Sequence, residues 1–238
     1  MMLGFDGVFV VDPVDISGGL TLFWKDEVQL EIQNYIRRHI NAVVKLQDGR
    51  SSWKFTGFYG YPNSAKRKES WELLNHLKLF YPQPWLCVGD FNEITLQGEK
   101  YRAALRREGQ IEELRIALEN CQLCELGFKE PNYTWTNGRE DGNFTEERLD
   151  RAMETKELCK MFKCMKVQVL AGLSSDHKPI LVECIKSDEE KIKGYRGFKF
   201  ESKWMLDEEC NEVIKEAWRE TELATNLVKV VRSKLDRC

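Results

Sequence analysis

Histidine is scarce in this chain of 238 residues, with only His39, His76 and His177. No apolar run approaches the ~20 residues that a membrane-spanning helix needs. The start, Met1-Met2-Leu3-Gly4-Phe5-Asp6, has neither a basic leader nor a long apolar stretch, so no secretory signal is visible. Eight cysteines are present without a metal-binding framework: the pair Cys121 and Cys124 has C-x-x-C spacing, but no second ligand pair follows. With Ile111 and Leu118 at matching spacing, the two read as core thiols on one helix face. Cys87 and Cys184 sit in apolar runs, which suits a reduced intracellular protein. A strong positive charge is also missing. The formal net charge is −3, so contact with nucleic acid would need a local basic patch.

What is there belongs to a soluble globular protein, with 42% apolar and 32% charged residues. The length suffices for one full core with an appendage. Val8–Val11 and Leu20–Trp24 read as strands, joined across Asp12-Pro13 and the turn Ser17-Gly18-Gly19. Alternation at Val28, Leu30 and Ile32, then at Ile40, Ala42, Val44 and Leu46, predicts two strands with one buried face each. Asp48-Gly49 predicts a hairpin turn into Trp53–Tyr59. Pro62-Asn63-Ser64 opens a helix whose Trp71, Leu74, Leu77 and Phe80 or Tyr81 form the core stripe, ended by Pro82 and Pro84. A charged loop with Glu99, Lys100, Arg102, Arg106 and Arg107 is the best candidate basic patch, beside the blander reading of solvated loop charge. A second helix is expected over 110–126 with Gly127 at its end. Tyr133–Trp135 and Arg148–Asp150 are expected to pair as strands, followed by a short helix over 155–162 and strands at 167–170 and 180–184. Residues 1–185 are thus the globular part, 186–205 a charged linker and 206–238 a helical tail.

Two stretches carry candidate chemistry. The first is Trp85–Asn92, an apolar strand that stops at Gly89 and delivers Asp90 and Asn92 two residues apart. Such a pair can hold a metal, a water or a phosphate; it can equally close the strand as an Asx-turn. The second is Ser174-Ser175-Asp176-His177-Lys178-Pro179, where the chain's best-placed histidine has an acidic neighbour and a strand behind it. Between them Glu147-Arg148-Leu149-Asp150-Arg151 places an acid on a third strand.

In this order the motifs Gly89-Asp90-Phe91-Asn92, Arg148-Leu149-Asp150-Arg151 and Ser175-Asp176-His177-Lys178-Pro179 resemble the endonuclease/exonuclease/phosphatase superfamily. More narrowly, the chain resembles the endonuclease domain of plant LINE-type non-LTR retrotransposon polyproteins. Ser17-Gly18-Gly19-Leu20, Gly57-Phe58-Tyr59-Gly60 and Tyr133-Thr134-Trp135-Thr136-Asn137 add to the match over about residues 4–185. The tail around Phe198–Trp218 is similar to the segment leading into a reverse transcriptase.

The resemblance implies an α+β fold, a four-layer αββα sandwich, and divalent-metal hydrolysis of a DNA phosphodiester, usually with Mg²⁺. It implies that Asp90 and Asn92 orient the attacking water and a phosphate oxygen. His177 then acts on the phosphate or in acid/base chemistry, with Asp150 fixing its tautomer. Asp176 lies by the metal or its water, Tyr59 contacts the phosphate, and Trp135 lies near the nucleotide. A nuclear location follows by the same analogy. The family's N-terminal Trp-Asn-x-Arg-Gly strand and metal-binding Glu strand find no counterpart here. Asp6, Asp12 and Asp15 are loop acids. The expectation is therefore a domain lacking its first strands, with impaired metal binding and an exposed sheet edge. Four functions stay open: a nicking endonuclease, an inactive retroelement relic, a phosphatase of inositol phosphates or lipids, and a binding module without chemistry.

Overall fold

A computed structural model describes residues 4–13, 19–46, 51–102, 104–129, 131–162, 164–172 and 175–185. The turn at 17–18, the Asp48-Gly49 hairpin, Asp15, Ser174, the linker and the helical tail lie outside the described residues. In chain order the elements are β1 (Gly7–Val11), β2 (Leu20–Trp24), β3 (Gln29–Ile36), β4 (His39–Lys45), β5 (Ser52–Tyr59), α1 (Arg67–Phe80) and β6 (Trp85–Asp90). There follow β7 (Lys100–Tyr101), α2 (Glu108–Cys121), β8 (Leu123–Glu125), β9 (Phe128–Lys129), β10 (Trp135–Thr136) and β11 (Glu146–Glu147). The last are β12 (Asp150–Thr155), α3 (Lys156–Met161), β13 (Cys164–Val169) and β14 (Ile180–Ile185). No described helix is long and apolar enough to cross a membrane.

The main sheet has six strands in the order β3-β4-β5-β6-β12-β8. The β3-β4-β5 meander is antiparallel, α1 then carries the chain back so that β6 runs parallel to β5, and β12 joins β6 antiparallel. Helices α1 and α2 pack on one face through Trp71, Leu74, Leu77, Leu114 and Leu118 against Phe58, Trp85, Cys87 and Met153. The other face, with Leu86, Val88 and Ala152, meets Val167, Ile180 and Val182 of the small sheet β14-β13-β9. The result is a mixed α+β sandwich.

Being covered on both faces explains the first corrections. Strand β4 is buried from His39 to Val44, and Lys54 and Thr56 on β5 are fully buried, so these strands do not present a polar face to water. Lys54 lies in the core because its Nζ donates to the carbonyls of Leu77 (2.9 Å) and Tyr81 (2.8 Å) and sits 3.6 Å from the centre of the Trp85 ring. It satisfies the last turn of α1, where free carbonyls and the helix dipole favour a cation. On α1 itself Phe80 is exposed, and Tyr81 packs instead against the core.

The second helix is shorter than expected. It stops at Cys121 because Gln122 turns left-handed (φ 56°) and its N–H bonds back to Glu119 and Leu118; Gly127 is not its cap. Residues 123–125 continue as strand β8, so Cys121 is buried on the helix while Cys124 is exposed on a strand. They do not share a helix face. Likewise β10 pairs with β11, not with Arg148–Asp150, because Asp150 opens β12 in the main sheet.

The charged loop is neither a basic patch nor solvated charge over most of its length. Glu99 pairs with the fully buried Arg151, Lys100 with Glu147 at 2.8 Å, and Arg106 with both Glu147 and Glu93. Glu93 is fully buried and also holds Arg67. Arg148 and Arg151 converge on Glu125. Of the five residues in that stretch only Arg102 and Arg107 lack a carboxylate among the described residues, and both are exposed.

Two glycines let the strands close at the end of β6. A Cβ on Gly89 (φ 149°) would lie 1.9 Å from the Phe58 carbonyl oxygen, and one on Gly60 would lie 2.4 Å from that of Phe91. Gly89→Ala is expected to destabilise the chain by about 2–4 kcal/mol, through backbone displacement between β5 and β6. Urea unfolding checks this; a loss below ~1 kcal/mol would mean that the strands separate without strain.

Candidate active site

The C-terminal ends of β5 and β6 and the start of β12 lie side by side. Tyr59 is the lateral neighbour of Asp90, and Asp90 faces Asp150 across the antiparallel pair. Register alone therefore brings together two carboxylates 60 residues apart in sequence. After Asp90 the chain does not continue as a strand. Asn92 adopts a left-handed conformation (φ 55°), its N–H donates to Asp90 Oδ1 (2.8 Å) and its Nδ2 donates to Asp90 Oδ2 (2.6 Å). The same amide also donates to the Gly60 carbonyl at 3.1 Å. The Asx-turn reading and the site reading of these residues describe one set of bonds.

His177 arrives from the other end of the chain. Its backbone pairs with Trp135, the Lys178 N–H donates to the Thr134 carbonyl (2.6 Å), and the Thr136 N–H donates to the Asp176 carbonyl (2.9 Å). Thr134 is buried, and its Oγ1 accepts from the N–H groups of Leu149 (3.0 Å) and Asp150 (2.9 Å). One threonine thus ties the Asp150 segment to the His177 loop. The His177 Nδ1 lies 2.8 Å from Asp150 Oδ2, and its Nε2 lies 4.0 Å from Asp90 Oδ2.

Asp90, Asn92, Asp150 and His177 therefore converge. Donor atoms of Asp90, Asp150 and His177 all lie within 4.8 Å of one another. Tyr59 stands beside Asp90 on the next strand. Asp176 and Trp135 form a pair at the rim, where the indole Nε1 donates to Asp176 Oδ2 (3.0 Å). Asp176 is exposed and outside the three-residue cluster. Sequence reasoning missed Thr134 and Glu93. Thr134 stood inside a quoted motif, but which backbone it would bridge depends on a non-local fold; Glu93 reads as a surface acid until Arg67 and Arg106 are seen around it.

Electrostatics follow from this packing. Burial, then the Asp150 charge, pushes the Asp90 carboxyl up to about 6, against the opposing pull of His177 and the Asn92 hydrogen bonds. Burial alone would lower the His177 pKa, but the Asp150 hydrogen bond and the charges of Asp150, Asp90 and Asp176 outweigh it, so it lies above the usual histidine value. The Trp135 hydrogen bond leads in holding the Asp176 carboxyl below its ordinary range. A carboxylate-held imidazole beside a buried acid can move protons near neutral pH. Two carboxylates with one imidazole also form a donor set that fits a hard divalent cation.

No family model matches the chain, and no curated protein matches it in sequence. Solved structures do. The endonuclease domain of TRAS1, a telomere-specific non-LTR retrotransposon, superposes with a TM-score of 0.59 at 15% identity, over 78% of this chain and 83% of that one. A variant of the 3′ phosphatase NExo from Neisseria, bound to a product DNA hairpin, gives 0.55 at 14% identity, over 75% and 79%. An endonuclease/exonuclease/phosphatase family protein from Bacteroides thetaiotaomicron gives 0.50 at 17% identity, over 76% of each chain. The chain has the endonuclease/exonuclease/phosphatase fold. In this chain the Asp90 and Asp150 strands are neighbours in the main sheet, and His177 reaches their ends from the segment before β14.

The raised Asp90 pKa has a stability consequence. Its folded value of about 6 exceeds its ordinary 3.8, so its contribution is intact below 3.8 and is lost as pH rises to about 6. Relative to Asp90→Asn, the native chain should lose about 1–3 kcal/mol between pH 4 and pH 7. Urea midpoints at the two pH values check this; a pH-independent difference would refute it.

Proposed function

We propose that this chain hydrolyses phosphodiester bonds of DNA with the help of a divalent cation, Mg²⁺ by preference. The observation that carries the reading is the chain Asn92–Asp90···His177–Asp150: an amide fixes one carboxylate, a second carboxylate fixes the imidazole, and Nε2 faces the first. The fold shared with the TRAS1 endonuclease domain supports DNA as the substrate and a retroelement as the origin. Inside the site, Asp150 accepts from Nδ1–H and sets the tautomer that leaves Nε2 free to accept a proton from water or to give one to the leaving oxygen. The Asn92 Nδ2–H groups hold the Asp90 carboxylate in place and satisfy the Gly60 carbonyl. Asp90 and Asp150 would hold the cation, which supplies charge neutralisation at the phosphoryl oxygen when bound. Asp176 and Trp135 at the rim, with Tyr59 beside Asp90, contact the substrate strand in this reading.

One of the two carboxylates, Asp150, is already engaged by His177, so affinity for Mg²⁺ is weak and turnover slow. Nicking of supercoiled plasmid is expected only at Mg²⁺ near or above the millimolar range. His177→Gln should cost about 10²–10⁴-fold in rate, and Asp90→Ala at least about 10³-fold. Nicking that survives Asp90→Ala would defeat the assignment. DNA binding with no nicking at any Mg²⁺ or Mn²⁺ concentration would instead make the chain a binding remnant.

A further inference from the structure

The β3–β4 hairpin turns at Arg37 and Arg38, with Ile36 paired to His39. Two-residue hairpin loops favour Asn-Gly or Gly because they need positive φ. This loop has two arginines, and neither has a positive φ. A turn without positive φ accepts most residues, so its geometry leaves the two side chains free to serve another purpose.

Arg38 is distinct among the buried and half-buried arginines of the described residues. Arg67, Arg106, Arg115, Arg148 and Arg151 are buried or half-buried, and each has a carboxylate partner. Arg38 is half-buried, and among the described residues no carboxylate lies within ion-pair distance of it. It is held instead by two aromatic rings and a carbonyl. Its guanidinium carbon lies 4.0 Å from the centre of the Tyr61 ring and 4.8 Å from that of Tyr59, and Nη1 donates to the Gly60 carbonyl at 3.4 Å. Stacking on aromatic faces orients a guanidinium without neutralising it.

Its position is beside the site. The Gly60 carbonyl that takes Arg38 also takes the Asn92 amide, the Gly60 N–H donates to the Asp90 carbonyl (2.7 Å), and the Arg38 carbonyl accepts from the Tyr59 N–H (2.9 Å). One peptide thus separates a guanidinium with no carboxylate partner among the described residues from the Asp90–Asn92 pair. Three acids, Asp90, Asp150 and Asp176, line or rim the site, and Lys178 is already engaged by Glu146 at 3.4 Å. An anionic strand needs a cation on its path that is not already paired.

We propose that Arg38, oriented by Tyr59 and Tyr61, binds a non-scissile backbone phosphate of the nucleic-acid strand that enters the Asp90–His177 site. The inference rests on the phosphodiesterase reading of that site. Arg38 is thereby a substrate-binding residue that places the strand and takes no part in proton transfer. Lys66, 5.8 Å from the Tyr61 ring, extends the positive track.

The test uses the full chain and a fluorescein-labelled 20-base-pair DNA duplex, followed by anisotropy in EDTA across a salt series, with plasmid nicking in Mg²⁺ measured in parallel. Arg38→Gln should weaken binding about 10-fold near 0.1 M salt and reduce the salt slope by about one. Arg38→Lys keeps the charge but not the planar fork, so it should keep the wild-type slope with an affinity about 3-fold lower. If Arg38→Gln lowers the melting temperature, Arg38→Lys decides: wild-type affinity in the lysine variant overturns the proposal. Unchanged affinity and slope in a folded Arg38→Gln also overturn it, while wild-type nicking in the same series leaves the phosphodiesterase reading standing. A wild-type chain that neither binds nor nicks defeats both.

Discussion

Antiparallel pairing of β6 with β12 forces Asp90 to face Asp150, and the remainder of the site answers that constraint. Burial resists ionisation of Asp90 and the like charge of Asp150 adds to it, which is why the Asp90 carboxyl sits near 6. Relief comes from donors on both sides. Asn92 supplies a backbone and a side-chain N–H to Asp90, and His177 supplies Nδ1–H to Asp150. In the proposed reaction a cation held by this pair would add the charge that the protein itself withholds. The sheet register creates the electrostatic problem that the proposed chemistry uses.

A second layer of charge secures the ends of the motifs. Glu93, one residue after Asn92, is clamped by Arg67 at the start of α1 and by Arg106. Arg148 and Arg151 flank Asp150 and converge on Glu125, while Glu99 takes the other side of Arg151. Buried ion pairs add little net stability once desolvation is counted, but removing one partner leaves an uncompensated charge and is costly. Here they anchor both carboxylate strands to the surrounding loops. The charged stretch 99–107 looked like a surface in the sequence because charge alone does not reveal whether its partners lie across the fold.

Most strands, the first helix and the three motif stretches were legible. Alternation located β3 and β4, and the Trp71–Leu77 spacing located α1. Solvent exposure was not legible, because alternation with Lys54 and Thr56 mimics a half-exposed strand. Lys54 is buried only because α1 ends above it with free carbonyls. The end of α2 was missed for a related reason. Gln122 takes the left-handed cap that glycine usually takes, and the apolar spacing runs on into β8 without a break. At the site, Asp90, Asn92, Asp150 and His177 were named from short motifs, yet their convergence rests on β6–β12 register and on Thr134, which are non-local.

The Asp90-Phe91-Asn92 stretch shows why the local and functional readings of a motif need not compete. A left-handed Asn after a strand is an ordinary way to stop it, with the side chain of the preceding acid accepting the turn's N–H. The Asn92 amide holds the other Asp90 oxygen, so both oxygens are fixed while each keeps a lone pair for further contacts. The acid can no longer rotate away when the turn is formed. Phe91, between them, is fully buried and packs on Phe58, so the turn is nailed to the core. Orientation of the carboxylate is settled during folding, so the proposed chemistry would not have to order it when substrate binds. The Asx-turn is therefore the means by which this sequence fixes the Asp90 carboxylate in the orientation that the proposed chemistry needs.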